Sequence, residues 1–307
     1  MLSTAILLSG CGINVQNADK SGKADTQSTA SPKKESESSE ASNLKIPKDA
    51  KIVAGTVMAS ELLDLLDIEL VGVPSTKKGL PERYNGLTEI GMSMKPDIEK
   101  IVSLGTNVLV TDSTLKESLD VQLKGKDIDI IYMNNNSYED LIKTIESLGK
   151  AFEKEDKAEK VIKDMKQKEE QIMKKIEGKK SPKVMVIFGT TESFMLATKD
   201  SFVGSLVEKL GATNITEEID QKGTTPYVPF SLEQVAKLDP DMILCLTHME
   251  VEASKAAFDK EFSKGLWKNM HVIKNNKVYS LDPEYFGVTA NSRASESLER
   301  LADILYK

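Results

Sequence analysis

At 307 residues, with 41 Lys and Arg against 48 Asp and Glu, the chain carries a formal charge of −7. It is long enough for about two domains at the usual ~100–200 residues each. The acidic balance excludes the polyanion-neutralising surface of a general nucleic-acid binder. Two cysteines, Cys11 and Cys245, and two histidines, His248 and His271, cannot build a cysteine-rich zinc site or a multi-histidine centre. Only Arg83, Arg293 and Arg300 are arginine, which disfavours a strongly anionic ligand held in an arginine cage.

At the N-terminus, Ala5-Ile6-Leu7-Leu8 runs into Ser9-Gly10-Cys11. The run is far short of the ~20 residues of a membrane span and reads as the end of a signal-peptide apolar region, residues 1–10, meeting a lipobox. Cleavage before Cys11 and lipidation of that cysteine are expected. Residues 12–43 contain no aromatic side chain and almost no branched aliphatic one, so they cannot bury enough apolar surface to order themselves. A disordered tether over 11–44, with a reach of roughly 30 Å, is expected.

From about residue 45, short apolar runs alternate with helix-period segments. Strands are expected at 52–54, 70–73, 108–110 and 128–132, and helices at 58–66, 97–104 and 138–150. A second set comprises strands at 184–188, 194–197, 242–246 and 278–281, with helices at 202–210, 232–238 and 294–305. The alternation predicts two Rossmann-like α/β lobes, 45–150 and 181–307. Cys245, inside Met242-Ile243-Leu244-Cys245-Leu246, reads as a buried small hydrophobe.

Residues 151–177 contain no Gly or Pro and space Phe152, Val161, Ile162, Met165, Ile172, Met173 and Ile176 nearly helically. One helix of about 40 Å is expected there, making 151–180 a stiff connection with the ligand cleft between the lobes. A faint repeat at an offset of 134 residues aligns Asp97-Ile98-Glu99 and the apolar positions after it with Ser231-Leu232-Glu233 and theirs. Glu99 and Glu233 thus occupy matching places near two helix starts, where a carboxylate also suits the helix dipole.

Together with Leu70-Val71-Gly72-Val73-Pro74-Ser75-Thr76, Leu80-Pro81-Glu82-Arg83-Tyr84, Gly91-Met92-Ser93-Met94-Lys95-Pro96-Asp97 and Phe286-Gly287, these features carry a resemblance. The chain resembles the class III substrate-binding proteins of bacterial ABC importers for iron chelates, haem and cobalamin. Within that group it is most similar to haem-receptor lipoproteins of the iron-regulated surface determinant type. The resemblance implies haem as the transported ligand, an ABC permease dimer and an upstream haem donor as partners, and a lipid-anchored monomer on the outer face of the cytoplasmic membrane. It also implies Met94 and His248 as axial haem ligands, and Glu99 and Glu233 as permease-docking carboxylates.

Read from chemistry alone, thioether plus imidazole is a recognised axial pair for haem iron. Met92 competes with Met94 as the sulfur, and Met58 is a third. Thr56-Val57-Met58, entering a helix, offers N–H groups for a carboxylate. Tyr227, Tyr285 and Phe286 are candidate pocket walls, and His271 reads as structural. No nucleophile elbow, P-loop or zinc-protease helix is present, so an enzyme is not expected. The remaining alternative is a siderophore or corrinoid binding protein.

Overall fold

Apolar runs covered on both faces become the central strands of two sheets. The computed structural model describes residues 44, 46–77, 79–219, 225–247 and 251–307. Cys11, the expected signal remnant and all of the expected tether except Leu44 lie outside them.

In the first half the chain forms β1 (Ile52–Ala54), α1 (Val57–Leu65), β2 (Gly72–Val73), β3 (Thr88–Glu89), β4 (Gly91–Met92), β5 (Lys95–Pro96), α2 (Ile98–Ser103), β6 (Val108–Asp112), α3 (Lys116–Gln122) and β7 (Asp129–Met133). Its main sheet is wholly parallel, in the order β3-β2-β1-β6-β7. Then come α4 (Tyr138–Ala151) and α5 (Glu155–Ile176).

The second half contains β8 (Lys183–Gly189), β9 (Phe194–Ala197), α6 (Phe202–Lys209), β10 (Thr213–Asn214), β11 (Tyr227–Val228), α7 (Leu232–Leu238), β12 (Met242–Leu246), α8 (Val251–Phe262), α9 (His271–Lys274), β13 (Val278–Ser280) and α10 (Ala294–Leu305). Strands β10, β8, β12 and β13 are parallel, and β9 and β11 add an antiparallel edge. All five residues of β12 are buried, as expected of a strand covered on both faces. Burial also pushes the Cys245 thiol well above its ordinary range.

The faint repeat is a repeat of topology. The parallel series β2-β1-β6-β7 in one half matches β10-β8-β12-β13 in the other. In each, a short helix, α2 or α7, leads directly into the third strand of that series.

The expected single helix over 151–177 is interrupted. Phe152 is drawn into the core, and Glu153 takes a left-handed φ of 53°. The Lys154 N–H then donates to the Gly149 carbonyl at 2.7 Å. After this break α5 runs 22 residues, about 33 Å at 1.5 Å per residue. Met173, expected on its apolar face, is 37% exposed, whereas Ile172 and Ile176 are buried.

Helices α4, α5, α6 and α10 bring the halves together over one continuous apolar cluster, which includes Ala54, Leu148, Ile172, Leu206, Leu244 and Leu298. Polar contacts reinforce the seam. Ser205 Oγ accepts from the Tyr138 N–H at 3.1 Å, and Lys209 pairs with Glu139 at 2.8 Å and Glu169 at 2.9 Å. Burial opposes the Lys209 charge, yet the hydrogen bonds that its ammonium donates to both glutamates hold its pKa above the usual lysine range.

At the start of α6, Ser201 Oγ caps the Gly204 N–H at 3.1 Å, and a Cβ on Gly204 would lie 1.8 Å from the Thr198 carbonyl oxygen. Gly204→Ala is therefore expected to destabilise the protein by about 3 kcal/mol in urea unfolding. Gly79→Ala, where a Cβ meets nothing within 4 Å, should change stability by less than about 0.5 kcal/mol. Equal stabilities would contradict this packing.

Candidate functional site

In open α/β sheets, ligands gather where chains leave the carboxyl ends of parallel strands. Here the segments leaving the two sheets meet at the seam. The Ala290 N–H, beyond β13, donates to the carbonyl of Asn135, beyond β7, at 2.8 Å. Ser292 Oγ donates to Glu61 of α1 at 2.7 Å.

The first half contributes a hairpin. Strands β4 and β5 pair Gly91 with Pro96 and Met92 with Lys95, leaving Ser93 and Met94 as the turn. Gly91 has a φ of +93°, a region that favours glycine. The hairpin is rooted by buried Ile90, whose carbonyl accepts from the Asp97 N–H, and by the Ser75 N–H, which donates to the Gly91 carbonyl at 2.8 Å. This root leaves the tip in solvent: Met92 is 62% exposed and Met94 72%. Asp97 caps α2 by accepting from the Lys100 N–H at 3.1 Å, placing exposed Glu99 in the first turn immediately after the hairpin.

Beyond β1, the Thr56 hydroxyl accepts from the Ala59 N–H at 3.0 Å and so caps α1. Its side chain is committed to the cap. Val57 and Met58, both half-buried, supply N–H groups that have no acceptor within the helix.

In the second half, Tyr227 packs its ring on Phe188 at 5.1 Å and donates its hydroxyl to the Val288 carbonyl at 3.1 Å. That contact joins β11 to the segment carrying Tyr285 and Phe286. Tyr285 is half-buried beneath the Arg300 guanidinium, 3.7 Å from its ring centre, with Arg293 also over the ring at 5.4 Å. Phe286, the third candidate for the pocket wall, is 2% exposed inside the shared core. Glu233 is exposed in the first turn of α7, as Glu99 is in α2. His271 is exposed at the start of α9.

His248 lies outside the described residues, two positions beyond the end of β12. Among the described residues, no group of three or more His, Cys, Asp or Glu side chains could hold a metal ion.

Two buried groups were not anticipated from sequence. Among the described residues, both polar atoms of the Asn135 amide and the hydroxyl of Thr247, beyond β7 and β12, have no hydrogen-bond partner. Buried amides ordinarily find a protein, water or ligand partner. The only sequence signal is the Asn134-Asn135-Asn136 run after an apolar strand.

Comparison with known proteins agrees with this architecture. A family model described as periplasmic binding protein matches residues 52–285. The high-affinity heme uptake system protein IsdE of Staphylococcus aureus is 33% identical over 261 residues, spanning 84% of this chain and 87% of that protein. The crystal structure of S. aureus IsdE complexed with heme matches with a TM-score of 0.76 and 32% identity, over 84% of this chain and 100% of that one. An ABC transporter substrate-binding protein from Listeria monocytogenes EGD-e matches at 0.78 and 32%, over 84% and 98%. The vitamin B12 binding protein BtuF of Vibrio cholerae shares the fold at 0.64 and 16%, over 83% and 96%. The chain belongs to the periplasmic binding protein family, a family of binding components of transport systems and not of enzymes.

Proposed function

We propose that this protein captures haem outside the cytoplasmic membrane and delivers it to an ABC permease. In this reading Cys11 carries the lipid anchor, 11–44 is the tether, and 45–150 and 181–307 form lobes joined through 151–180. Haem enters the cleft between them as a monomeric receptor's cargo, received from an upstream donor. Met94 and His248 ligate the iron from opposite faces. The observation that carries the reading is Met94, a soft donor held in solvent at the tip of a rooted hairpin in a chain one-third identical to a heme uptake protein. Thr56–Met58, Met92, Tyr227 and Tyr285 are the proposed surroundings of the macrocycle.

The arginines support haem over a highly anionic chelate. Arg83 is engaged by Asp64, Asp67 and Glu69. Arg293 pairs with Glu284, and Arg300 stacks on Tyr285. Haem, with an apolar ring and two propionates, asks for fewer fixed positive charges than a tris-catecholate or polycarboxylate chelate.

Titration of the purified protein with haem should give a six-coordinate, low-spin spectrum. His248→Ala and Met94→Ala should each shift the Soret maximum and speed haem loss, whereas His271→Ala should do neither. A wild-type spectrum from both His248→Ala and Met94→Ala would sink the ligand assignment.

The docking proposal rests on the repeated topology that gives Glu99 and Glu233 equivalent places. Arginines on the two permease subunits would meet one carboxylate each. Exposed ion pairs contribute only about 0–1 kcal/mol, but removing one partner of a desolvated pair costs about 2–5 kcal/mol. The double variant Glu99→Ala/Glu233→Ala is expected to bind haem with unchanged affinity and to lower haem-iron uptake by cells that depend on this receptor. Undiminished uptake at matched surface levels would return both residues to helix-end electrostatics.

A further inference from the structure

Among the described residues, six large apolar side chains are exposed, and two of them, Met92 and Met94, lie two residues apart on one hairpin. Met92 lies on β4, paired across the hairpin with Lys95 and 62% exposed. Packing gives no reason for a large apolar residue there. A thioether is, however, a soft ligand on an unbranched side chain with three rotatable bonds. Cα atoms two residues apart are separated by at most about 7 Å, a span within the combined reach of two methionine side chains. The hairpin need not unfold for the exchange, because its anchors, Ile90, Ser75 and Asp97, lie outside the Met92–Lys95 pair.

We propose that Met92 is an alternate sulfur ligand for the haem iron. When Met94 is displaced, the Met92 sulfur donates a lone pair into the vacated axial position as the Met94 sulfur withdraws its own. One iron–sulfur bond forms and one breaks, with no change in oxidation state or proton count. The receptor then releases haem through a second sulfur-ligated state. This inference rests on the haem reading above and adds a residue to its site.

The full chain is loaded with ferric haem, and two quantities are recorded for wild type, M94A and M92A/M94A: the far-red sulfur-to-iron charge-transfer band, and the rate of haem loss to excess apomyoglobin. The band is expected to persist, shifted, in M94A and to vanish in M92A/M94A, which should lose haem about tenfold faster than M94A. An M94A protein without the band, losing haem as fast as the double variant, overturns the alternate-ligand role and leaves Met94 ligation standing. A wild-type complex without the band removes the sulfur-ligated haem reading and this inference with it. Both side chains are exposed, and unchanged circular dichroism confirms that the variants are folded.

Discussion

One apolar core beneath both sheets is the constraint on which the rest depends. It passes from β1 and β6 through Leu148 of α4 and Ile172 of α5 to β8, β12 and Leu298 of α10. Truncating a buried leucine or isoleucine in such a core costs about 2–5 kcal/mol. Sliding one half over the other would disturb many such contacts together, along with the Lys209 pairs to Glu139 and Glu169. The halves are therefore held by packing along a long face, and not by a flexible linker. Such a frame suits the proposed two-point docking, which needs Glu99 and Glu233 presented together to a permease.

Against that seam, the proposed ligand contacts lie on segments leaving the sheets. The Met92–Met94 hairpin is anchored at its root and free at its tip, which combines a defined position with access to an incoming ligand. Tyr227 and Tyr285 are more constrained: one is tied to the Val288 carbonyl and the other covered by two guanidinium groups. The arginines are engaged locally, Arg83 and Arg293 by carboxylates and Arg300 by the Tyr285 ring. The Asn135 amide, like the Thr247 hydroxyl, has no hydrogen-bond partner among the described residues.

The fold was legible where burial and periodicity agree. Ile52–Ala54, Phe194–Ala197, Met242–Leu246, Leu232–Leu238 and Ala294–Leu305 appear with the ends expected from their apolar patterns. Helix α3 was not legible, because Val121 faces solvent and Leu119 is its one buried residue. The break at Phe152 escaped notice because no Gly or Pro marks it; tertiary burial of Phe152 forces the turn on Glu153. The 91–96 hairpin reads as a loop in sequence, since its strands are two residues long and one contains Pro96. In the proposed site, the resemblance carried by residues 91–97 implies Met94, and the repeat at an offset of 134 residues pairs Glu99 with Glu233. The burial of Phe286 was not legible, because an aromatic beside Tyr285 looks the same in sequence whether it faces a pocket or the core.

The most direct test of the central claim is a crystal structure of the full chain loaded with haem, with iron located by anomalous scattering. The account predicts continuous density from the iron to the Met94 sulfur on one face and to the His248 imidazole on the other, with the packing of the seam unchanged. Iron lying away from the hairpin, or ligated by neither side chain, would contradict it.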